Sequence, residues 1–459
     1  MKHHRKGTLH PSSAVTGISC DDLFGQYTYR LGSADPTSGT SSPHLMLLYG
    51  DNGSGKTTIA QLLFHMLSRA DGRGHRSYLA KTKFRRFSVH FDDGRSLVAE
   101  RPDANLRGPY ELQLRDSNGA VLESVQVTTS EDGAVKSGNV DESKLTTILS
   151  TALPSDFEVY FLSDSRVFHS DAFDKDPSEE WFHHRGRLVT RRFGDSIEHM
   201  IVESPTRDLT VGPSVARTET WLRRQAFSAS RAGEQTTSTI YADIIKRIAQ
   251  TSSTDSKPSS ERLDSLMAML GDLAKRSESY SQLGLSQTVP IDALSTHIGS
   301  LGDEQRQVVA SVLEPYVDSI ASRLDAFADL QQRLTTFLRI INSLYKRKSV
   351  TLTPGDGIAV HDSAGEPLDM ELLSSGEKQL MLLLCNILVA TTGASIFIID
   401  EPELSLNVKW QRQLVDDLLA LVQQTQVQFV MATHSIELLS KHKECVVQLN
   451  DDRAKGGVA

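Results

Sequence analysis

Short stretches in which apolar and polar residues alternate dominate the chain from residue 18 to about 168, and they predict β-strands. Two longer segments, 78–98 and 110–127, carry turn residues near their middle and predict hairpins. The runs Leu45–Tyr49 and Glu158–Leu162 are mostly apolar and predict buried strands. We therefore expect this part of the chain to be rich in sheet.

After about residue 211 apolar residues recur every three or four positions, which predicts helices. The residues that share a helix face are Ile240, Ile244, Ile245 and Ile248; Leu263, Leu266, Leu270 and Leu273; and, in one last long helix, Leu313, Val317, Ile320, Leu324, Phe327, Leu334, Leu338, Ile341 and Tyr345. The spacing is coiled-coil-like, and Pro315 predicts a kink or restart near the beginning of the last helix. The moderate helix lengths favour a compact bundle over a long free coiled coil.

The end of the chain alternates helical and strand patterns, which predicts an α/β structure with a largely parallel sheet. Short strands are also expected at 349–352 and 357–360. Three parts follow from these changes in pattern. We expect residues 1–170 and 348–459 to be α/β parts with a mixed sheet, and residues 171–347 to be an inserted helical, coiled-coil-like domain.

Composition indicates the cellular compartment in which the protein works. The chain has 459 residues, a net charge of −9 and only three cysteines, Cys20, Cys385 and Cys445, without CxxC spacing. This usage indicates a reduced, cytoplasmic protein with neither a disulfide framework nor a structural zinc site. The polar, basic beginning of the chain lacks a signal-peptide pattern, and the longest apolar run, 380–390, is too short to span a bilayer. We expect no membrane association.

The residues from Gly50 to Thr57 fit the phosphate-binding pattern GxxxxGK[ST] and lie between a predicted strand and a predicted helix. Glycines let backbone N–H groups point at phosphates, and the helix N-terminus adds a favourable dipole. Lys56 would reach the β and γ phosphates of ATP, and the Thr57 hydroxyl would bind Mg²⁺. The expected nucleotide-binding residues of this segment are Gly50, Asn52, Gly53, Gly55, Lys56, Thr57 and Thr58.

Two further apolar strands end in residues suited to the same chemistry. Asp400 and Glu401 follow the run 396–399, where Asp400 is suited to hold Mg²⁺ and Glu401 to accept a proton from the attacking water. His434 follows the run 428–431 and could sense the γ phosphate and orient water. We predict that Lys56, Glu401 and His434 are catalytic.

A third candidate segment opens the helix that begins near residue 376. Ser374, Ser375 and Gly376 could bind a phosphate at the helix N-terminus. Ser374 and Glu377 also have the spacing of a capping box, and the two interpretations are compatible.

The order of these motifs resembles that of ATP-binding-cassette ATPases. The segment LSSGE at 373–377 stands where that family has its signature motif, and Glu403-Leu404-Ser405-Leu406 is similar to its D-loop. The resemblance implies that two copies sandwich ATP, so that Ser374, Ser375 and Gly376 of one copy close over the ATP held by the other. No clear Q-loop glutamine is present, and one residue of Ser163-Asp164-Ser165-Arg166 is expected in its place.

The long interval between Lys56 and Ser374, filled by helices, resembles the SMC and OLD-type branch rather than membrane transporters. No cysteine of a zinc hook lies in the insertion, and the stretch after His434 has no room for the Toprim nuclease domain of OLD proteins. The combination resembles the stand-alone ATPases of bacterial anti-phage systems, most of all the AriA type of PARIS and next the PtuA type of Septu and related retron systems. This resemblance implies a homodimer or higher homo-oligomer that holds a separate nuclease (Toprim-type favoured, HNH-type as the alternative) and responds to a phage trigger protein.

Two other functions stay open. One is an SMC-type DNA-binding repair ATPase, and the other is a scaffold that binds ATP and hardly hydrolyses it. Basic clusters at 183–192 and 81–86 could contact DNA, but acidic residues at 174–180 could equally pair with the first cluster. Tyr27, Tyr29 and Arg30 could stack on adenine, although a core tyrosine is the simpler interpretation.

Overall fold

The computed structural model divides the chain into two compact units, residues 1–210 with 390–459 and residues 211–389. The residues that it describes are 14–32, 44–70, 73–102, 105–130, 133–136, 138–165, 167–170, 191–193, 196–198, 207–250, 259–288, 302–404 and 408–450.

An antiparallel sheet with the strand order β2-β1-β4-β5-β6-β7 forms one layer of the first unit. Its strands are β1 (Val15–Leu23), β2 (Tyr27–Gly32), β4 (Arg86–Phe91), β5 (Ser96–Glu100), β6 (Tyr110–Arg115) and β7 (Val121–Val127). The predicted hairpin at 110–127 is present as β6 and β7, which are joined through a turn at residues 117–119.

A second, mixed sheet has the order β12-β9-β8-β16-β17-β3-β18. Its strands are β3 (Leu45–Tyr49), β8 (Glu158–Leu162), β9 (Phe168–Ser170), β12 (Arg207–Leu209), β16 (Ala394–Asp400), β17 (Gln426–Thr433) and β18 (Val446–Gln448). The strands from β8 to β18 in this order run parallel, whereas β9 pairs antiparallel with both β8 and β12 at one edge. A separate antiparallel pair consists of β10 (Arg191–Phe193) and β11 (Ser196–Glu198).

Every residue of β16 is buried, as expected for a central strand covered on both faces. The helices α1 (Lys56–Leu67) and α3 (Glu142–Ala152) contribute their apolar sides to a core shared with both sheets. This core fixes the position of the loop before α1. The remaining helices of the unit are α2 (His75–Lys81), α9 (Val408–Leu421) and α10 (Ile436–Leu439), with a 3₁₀ turn at Lys443–Cys445.

The second unit contains the helices α4 (Val211–Gln250), α5 (Ser259–Gln282), α6 (Asp303–Ala326) and α7 (Ala328–Leu344). Helix α6 packs against both α4 and α5, so these three helices form a bundle, which the sequence favoured over a free coiled coil. The antiparallel strands β13 (Lys348–Thr353), β14 (Gly357–Asp362) and β15 (Pro367–Leu368) follow, then a 3₁₀ turn at Met370–Leu372 and helix α8 (Ser375–Ala390).

Two details of the predicted elements are wrong. Residues 78–81, expected in a strand, belong to α2, because this segment packs as a helix against α1, where the Tyr78 hydroxyl donates to Gln61. The last long helix is two helices that meet at Phe327, and Pro315 lies inside α6 rather than at its beginning.

The unit boundaries, after residues 210 and 389, also differ from the expected ones after 170 and 347. Polar contacts account for the difference, because they attach β14 and α8 to α4. Glu219 accepts a hydrogen bond from the Ile358 N–H (2.9 Å), and the Asn386 amide donates to Ser214 Oγ (3.0 Å).

None of the three cysteines, all buried, is part of a disulfide. Within the described ranges, no helix combines the length and the apolar content needed to cross a bilayer. The acidic stretch 171–180 and residues 183–190 of the basic cluster lie outside the described residues.

Candidate functional site

The predicted phosphate loop connects the buried strand β3 to the first turn of α1. Gly53 and Gly55 have φ values of 82° and 91°, in the left-handed region that favours glycine. A Cβ atom on Gly55 would lie 2.8 Å from Leu23 Cδ2, so the loop also has no space for a side chain there. Asn52 is exposed in the turn before the helix, and Thr57 and Thr58 lie in its first turn.

The Lys56 side chain is buried although it carries a charge. Its ammonium group donates hydrogen bonds to the carbonyl oxygens of Gly50 (2.8 Å) and Asp51 (3.1 Å). The cation is thus held inside the loop by carbonyl groups alone, with no carboxylate partner among the described residues. A phosphate would be a stronger partner for it.

Tyr29 is fully buried, and its hydroxyl donates to the carbonyl oxygen of Ser54 (2.8 Å). Tyr27 stacks on it with ring centroids 5.7 Å apart. Tyr29 therefore supports the phosphate loop from within the core, which agrees with the core interpretation of this residue rather than with adenine stacking.

The register of the parallel strands brings the predicted catalytic residues to one edge. Asp400 pairs in register with Ala432, Thr433 with Tyr49, and Ile399 with Leu162. Because parallel strands end together, the phosphate loop, Asp400 and His434 all follow strand ends at this edge. The Ser163-Asp164 segment, a candidate for the Q-loop position, follows the neighbouring strand β8 at the same edge.

Asp400 is 2% exposed, and neither of its carboxylate oxygens has a hydrogen-bond partner among the described residues. Burial and the nearby charge of Asp164 raise the pKa of Asp400, while the Thr57 hydroxyl and Lys56 oppose the increase. A buried carboxylate without partners is costly unless a cation neutralises it. Asp400 and Thr57 therefore fit a Mg²⁺ ion, which prefers oxygen ligands.

Glu401 has a φ of 51°, which is unusual for a residue with a side chain. Its N–H donates to the carbonyl oxygen of Ala432 (2.8 Å), which holds the residue in this conformation. Burial and the neighbouring Glu403 raise the pKa of Glu401 to about 7, although His434 opposes the shift. His434 Nδ1 lies 2.6 Å from Glu401 Oε2. A carboxylate with this pKa is suited to accept a proton near neutral pH.

Glu403 is a buried acidic residue to which the sequence assigned only a D-loop resemblance. Its Oε1 accepts hydrogen bonds from Thr433 Oγ1 and from the N–H groups of His434 and Ser435. Glu401, Glu403 and His434 also offer three ligand atoms within 4.8 Å of one another, which could hold a divalent ion that accepts nitrogen. Apart from the D-loop resemblance, the position of Glu403 two residues after Glu401 was the sequence feature that could have identified it as part of the site.

The segment Ser374–Gly376 begins α8 in the second unit, and both serines are exposed. The capping box is formed, because the Ser374 N–H donates to Glu377 Oε2 (2.8 Å) and the Glu377 N–H donates to Ser374 Oγ (3.3 Å). Burial alone would raise the pKa of Glu377, but hydrogen bonds from Lys348 and Ser374 outweigh it and lower the pKa.

Tyr345, which follows α7, and Lys348 on β13 support this helix start. The Tyr345 hydroxyl donates to the carbonyl oxygen of Glu377, and Lys348 Nζ lies 2.7 Å from Glu377 Oε2. The capping interpretation of the segment thus has direct structural support, and both of its serines are exposed.

The basic cluster at 81–86 is partly paired. Arg85 contacts Asp22 (2.9 Å) and Asp21 (3.8 Å), and Lys81 and Lys83 are exposed. The cluster thus offers two exposed lysines, and the charge of Arg85 is already partly neutralised.

Replacement of Gly55 by alanine is expected to destabilise the protein by about 2–4 kcal/mol, because it combines a left-handed backbone with overpacking against Leu23. Gly119→Ala is the matched control, since Gly119 has a φ of 82° but no atom within 4 Å of an added Cβ. Urea unfolding of both variants measures the difference. Equal destabilisation would show that Leu23 does not restrict the loop.

Comparison with known proteins gives a family match and similarities to solved structures. A family model described as "AAA domain, putative AbiEii toxin, Type IV TA system" matches residues 45–440. No curated protein matches the chain. The chain is similar to the Smc head domain with an extended coiled coil bound to the C-terminal domain of ScpA from Pyrococcus furiosus, with 12% identity, 96% of this chain and 98% of that chain covered and a TM-score of 0.35. It is also similar to the Smc head domain with a coiled coil and joint from Pyrococcus yayanosii. The identity is 12%, the similarity covers 95% of this chain and 96% of that chain, and the TM-score is 0.36.

The predicted fold class, an α/β P-loop ATPase with a mixed-sheet head and an inserted helical part, is confirmed by the sheets, the loop and the family match. The family model spans both strands that flank the nucleotide chemistry, β3 and β17, and all of the helical insertion between them. The chain therefore belongs to the family described as "AAA domain, putative AbiEii toxin, Type IV TA system".

Proposed function

We propose that this protein is an ATP-hydrolysing switch whose site lies at the carboxyl edge of the mixed sheet. The observation that carries the proposal is the convergence of a buried lysine, a buried carboxylate without partners and a carboxylate–histidine pair at that edge. A phosphate loop beside two acidic residues and a histidine is suited to phosphoryl transfer.

Each residue has a distinct role in this proposal. Backbone N–H groups of the loop and Lys56 bind the phosphates of ATP, while Thr57 and Asp400 hold Mg²⁺. Mg²⁺, when bound, neutralises charge that develops on the phosphates. Glu401 takes the proton from the attacking water, and His434 orients this water against Glu401.

The site is completed in trans in our proposal. Ser374, Ser375 and Gly376 of a second copy close over the nucleotide, so that the working form is a homodimer or a higher homo-oligomer. The exposure of both serines at a helix N-terminus supports this role, because the positive end of the helix dipole attracts phosphate.

We further infer a defence role, in which the switch holds a separate nuclease and releases it when a phage trigger protein is sensed. The family description, which names a putative toxin of a type IV toxin–antitoxin system, supports a defence context. The AriA-like resemblance favours a Toprim-type nuclease, and the PtuA-like resemblance gives an HNH-type nuclease as the alternative.

This role can be tested by co-expressing the ATPase with a Toprim-type or an HNH-type nuclease that is encoded beside its gene. We expect one nuclease to co-purify with the ATPase and to dissociate after phage infection. If neither binds and duplex DNA stimulates ATP hydrolysis with a steep salt dependence, the DNA-binding repair function is correct instead.

A further inference from the structure

Glu403 lies between the residues that follow β16 and those that follow β17. Its side chain is 7% exposed, and its Oε1 accepts three hydrogen bonds from three consecutive residues. The donors are Thr433 Oγ1 at 2.6 Å, the His434 N–H at 3.1 Å and the Ser435 N–H at 3.0 Å. Two of the three donors are backbone N–H groups, so these hydrogen bonds fix the backbone of the turn.

The His434 side chain needs such support. It is 52% exposed, and packing therefore holds it only in part. Its Nδ1 nevertheless lies 2.6 Å from Glu401 Oε2 and 3.5 Å from Glu403 Oε1. The position of the His434 imidazole therefore depends on the backbone of residues 433–435, and Glu403 holds that backbone through hydrogen bonds.

The other residues of the turn strengthen the same anchor. Gln411 donates to the carbonyl oxygen of Glu403 (3.3 Å), and the Ser435 hydroxyl contacts Gln411 Oε1 (3.1 Å). The Leu404 N–H donates to the carbonyl oxygen of Glu401 (3.0 Å), which closes the turn that carries both acidic residues. A displacement of the His434 turn would therefore break several contacts with the Glu401 turn at once.

We propose that Glu403 is a positioning residue that ties the turn of His434 to the turn of Glu401 and so keeps the imidazole against the catalytic carboxylate. This inference rests on the proposed ATP hydrolysis. It assigns Glu403 no contact with the nucleotide, so its removal should change the rate of hydrolysis and not the binding of ATP.

The Glu403→Ala variant is expected to lower kcat for ATP hydrolysis by about 10- to 100-fold, the usual effect of removing a partner that orients a reacting group, with KM nearly unchanged. Glu403→Gln should recover most of the rate, because its amide oxygen can accept the same three hydrogen bonds. If both variants lose activity equally, the three hydrogen bonds accepted by Glu403 do not account for the loss, and the proposal is wrong.

A double-mutant cycle with His434→Ala tests whether Glu403 affects the rate of ATP hydrolysis through His434. Residues that act as a unit are strongly non-additive, so Glu403→Ala should cause little further loss in the His434→Ala protein. Losses that multiply would mean that Glu403 acts independently of His434, which would overturn the proposal.

Hydrogen exchange separates this inference from the proposed function. The amides of His434 and Ser435 should exchange faster in Glu403→Ala than in the wild-type or Glu403→Gln protein, whether or not ATP is hydrolysed. Unchanged exchange overturns the anchor. A wild-type protein that binds ATP without hydrolysing it overturns the proposed function, while the exchange experiment still tests the hydrogen bonds of Glu403.

Discussion

The Glu401→Gln variant is expected to bind ATP as tightly as the wild-type protein and to hydrolyse it at least about 100-fold more slowly, because an amide cannot accept the proton of the attacking water. Glutamine is nearly the same size as glutamate, and the backbone bond to Ala432 does not involve the side chain. The fold and the phosphate loop should therefore be preserved. ATP that is not consumed should also keep two copies together, which light scattering can measure.

Glu142→Gln is a suitable control, since Glu142 is exposed on α3 and the same residue types are exchanged. Turnover at the wild-type rate in Glu401→Gln would remove Glu401 from the role of base. Loss of ATP binding in the variant would mean that its carboxylate, beside Asp400, acts on the metal rather than on water.

The Lys56→Ala variant is expected to bind ATP on the order of 100-fold more weakly, because a buried cation that meets a phosphate contributes several kcal/mol. Among the residues that the structure describes, the Lys56 ammonium group donates hydrogen bonds only to the loop carbonyl oxygens of Gly50 and Asp51. Those hydrogen bonds help to shape the phosphate loop, so part of the loss of affinity should reflect a less ordered loop. Calorimetric titration with a slowly hydrolysed ATP analogue measures the affinity.

Lys144→Ala, at an exposed position of α3, controls for the loss of one positive charge. Unchanged affinity in Lys56→Ala would exclude this lysine from phosphate binding. A lower melting temperature with unchanged affinity would reduce its role to the shape of the loop.

Local sequence patterns were sufficient to predict the strands and the loop that hold the proposed site residues. The phosphate loop is one contiguous motif between β3 and α1, and the apolar run that forms β16 is followed directly by Asp400 and Glu401. Such features depend on neighbours in sequence, so a single chain shows them.

Features that depend on distant residues were not predictable in the same way. Helix α2 has only seven residues, too few for periodicity to separate it from a strand, and it is held by contacts such as that between Tyr78 and Gln61 on α1. The break at Phe327 interrupts a continuous apolar spacing, so no local signal marks it.

The same limit applies to the site. Glu403 contacts residues about 30 positions away, and only the folded register brings its carboxylate under His434. The absence of hydrogen-bond partners at Asp400 is likewise a property of the folded sheet among its described residues. The sequence shows which residue types are present, but it does not show the distances between their side chains in the folded protein.

A mixing experiment tests most directly whether two copies share each ATP. Lys56→Ala and Gly376→Asp proteins are each expected to be inactive, the second because a carboxylate at the start of α8 repels phosphate. Mixed dimers contain one intact site, formed by Lys56 of one copy and the unaltered 374–376 segment of the other. Equal amounts should therefore recover about a quarter of the wild-type rate, since about half of the dimers are mixed and one of their two sites works. No recovery, with exchange of subunits verified, would contradict a nucleotide site built from two copies.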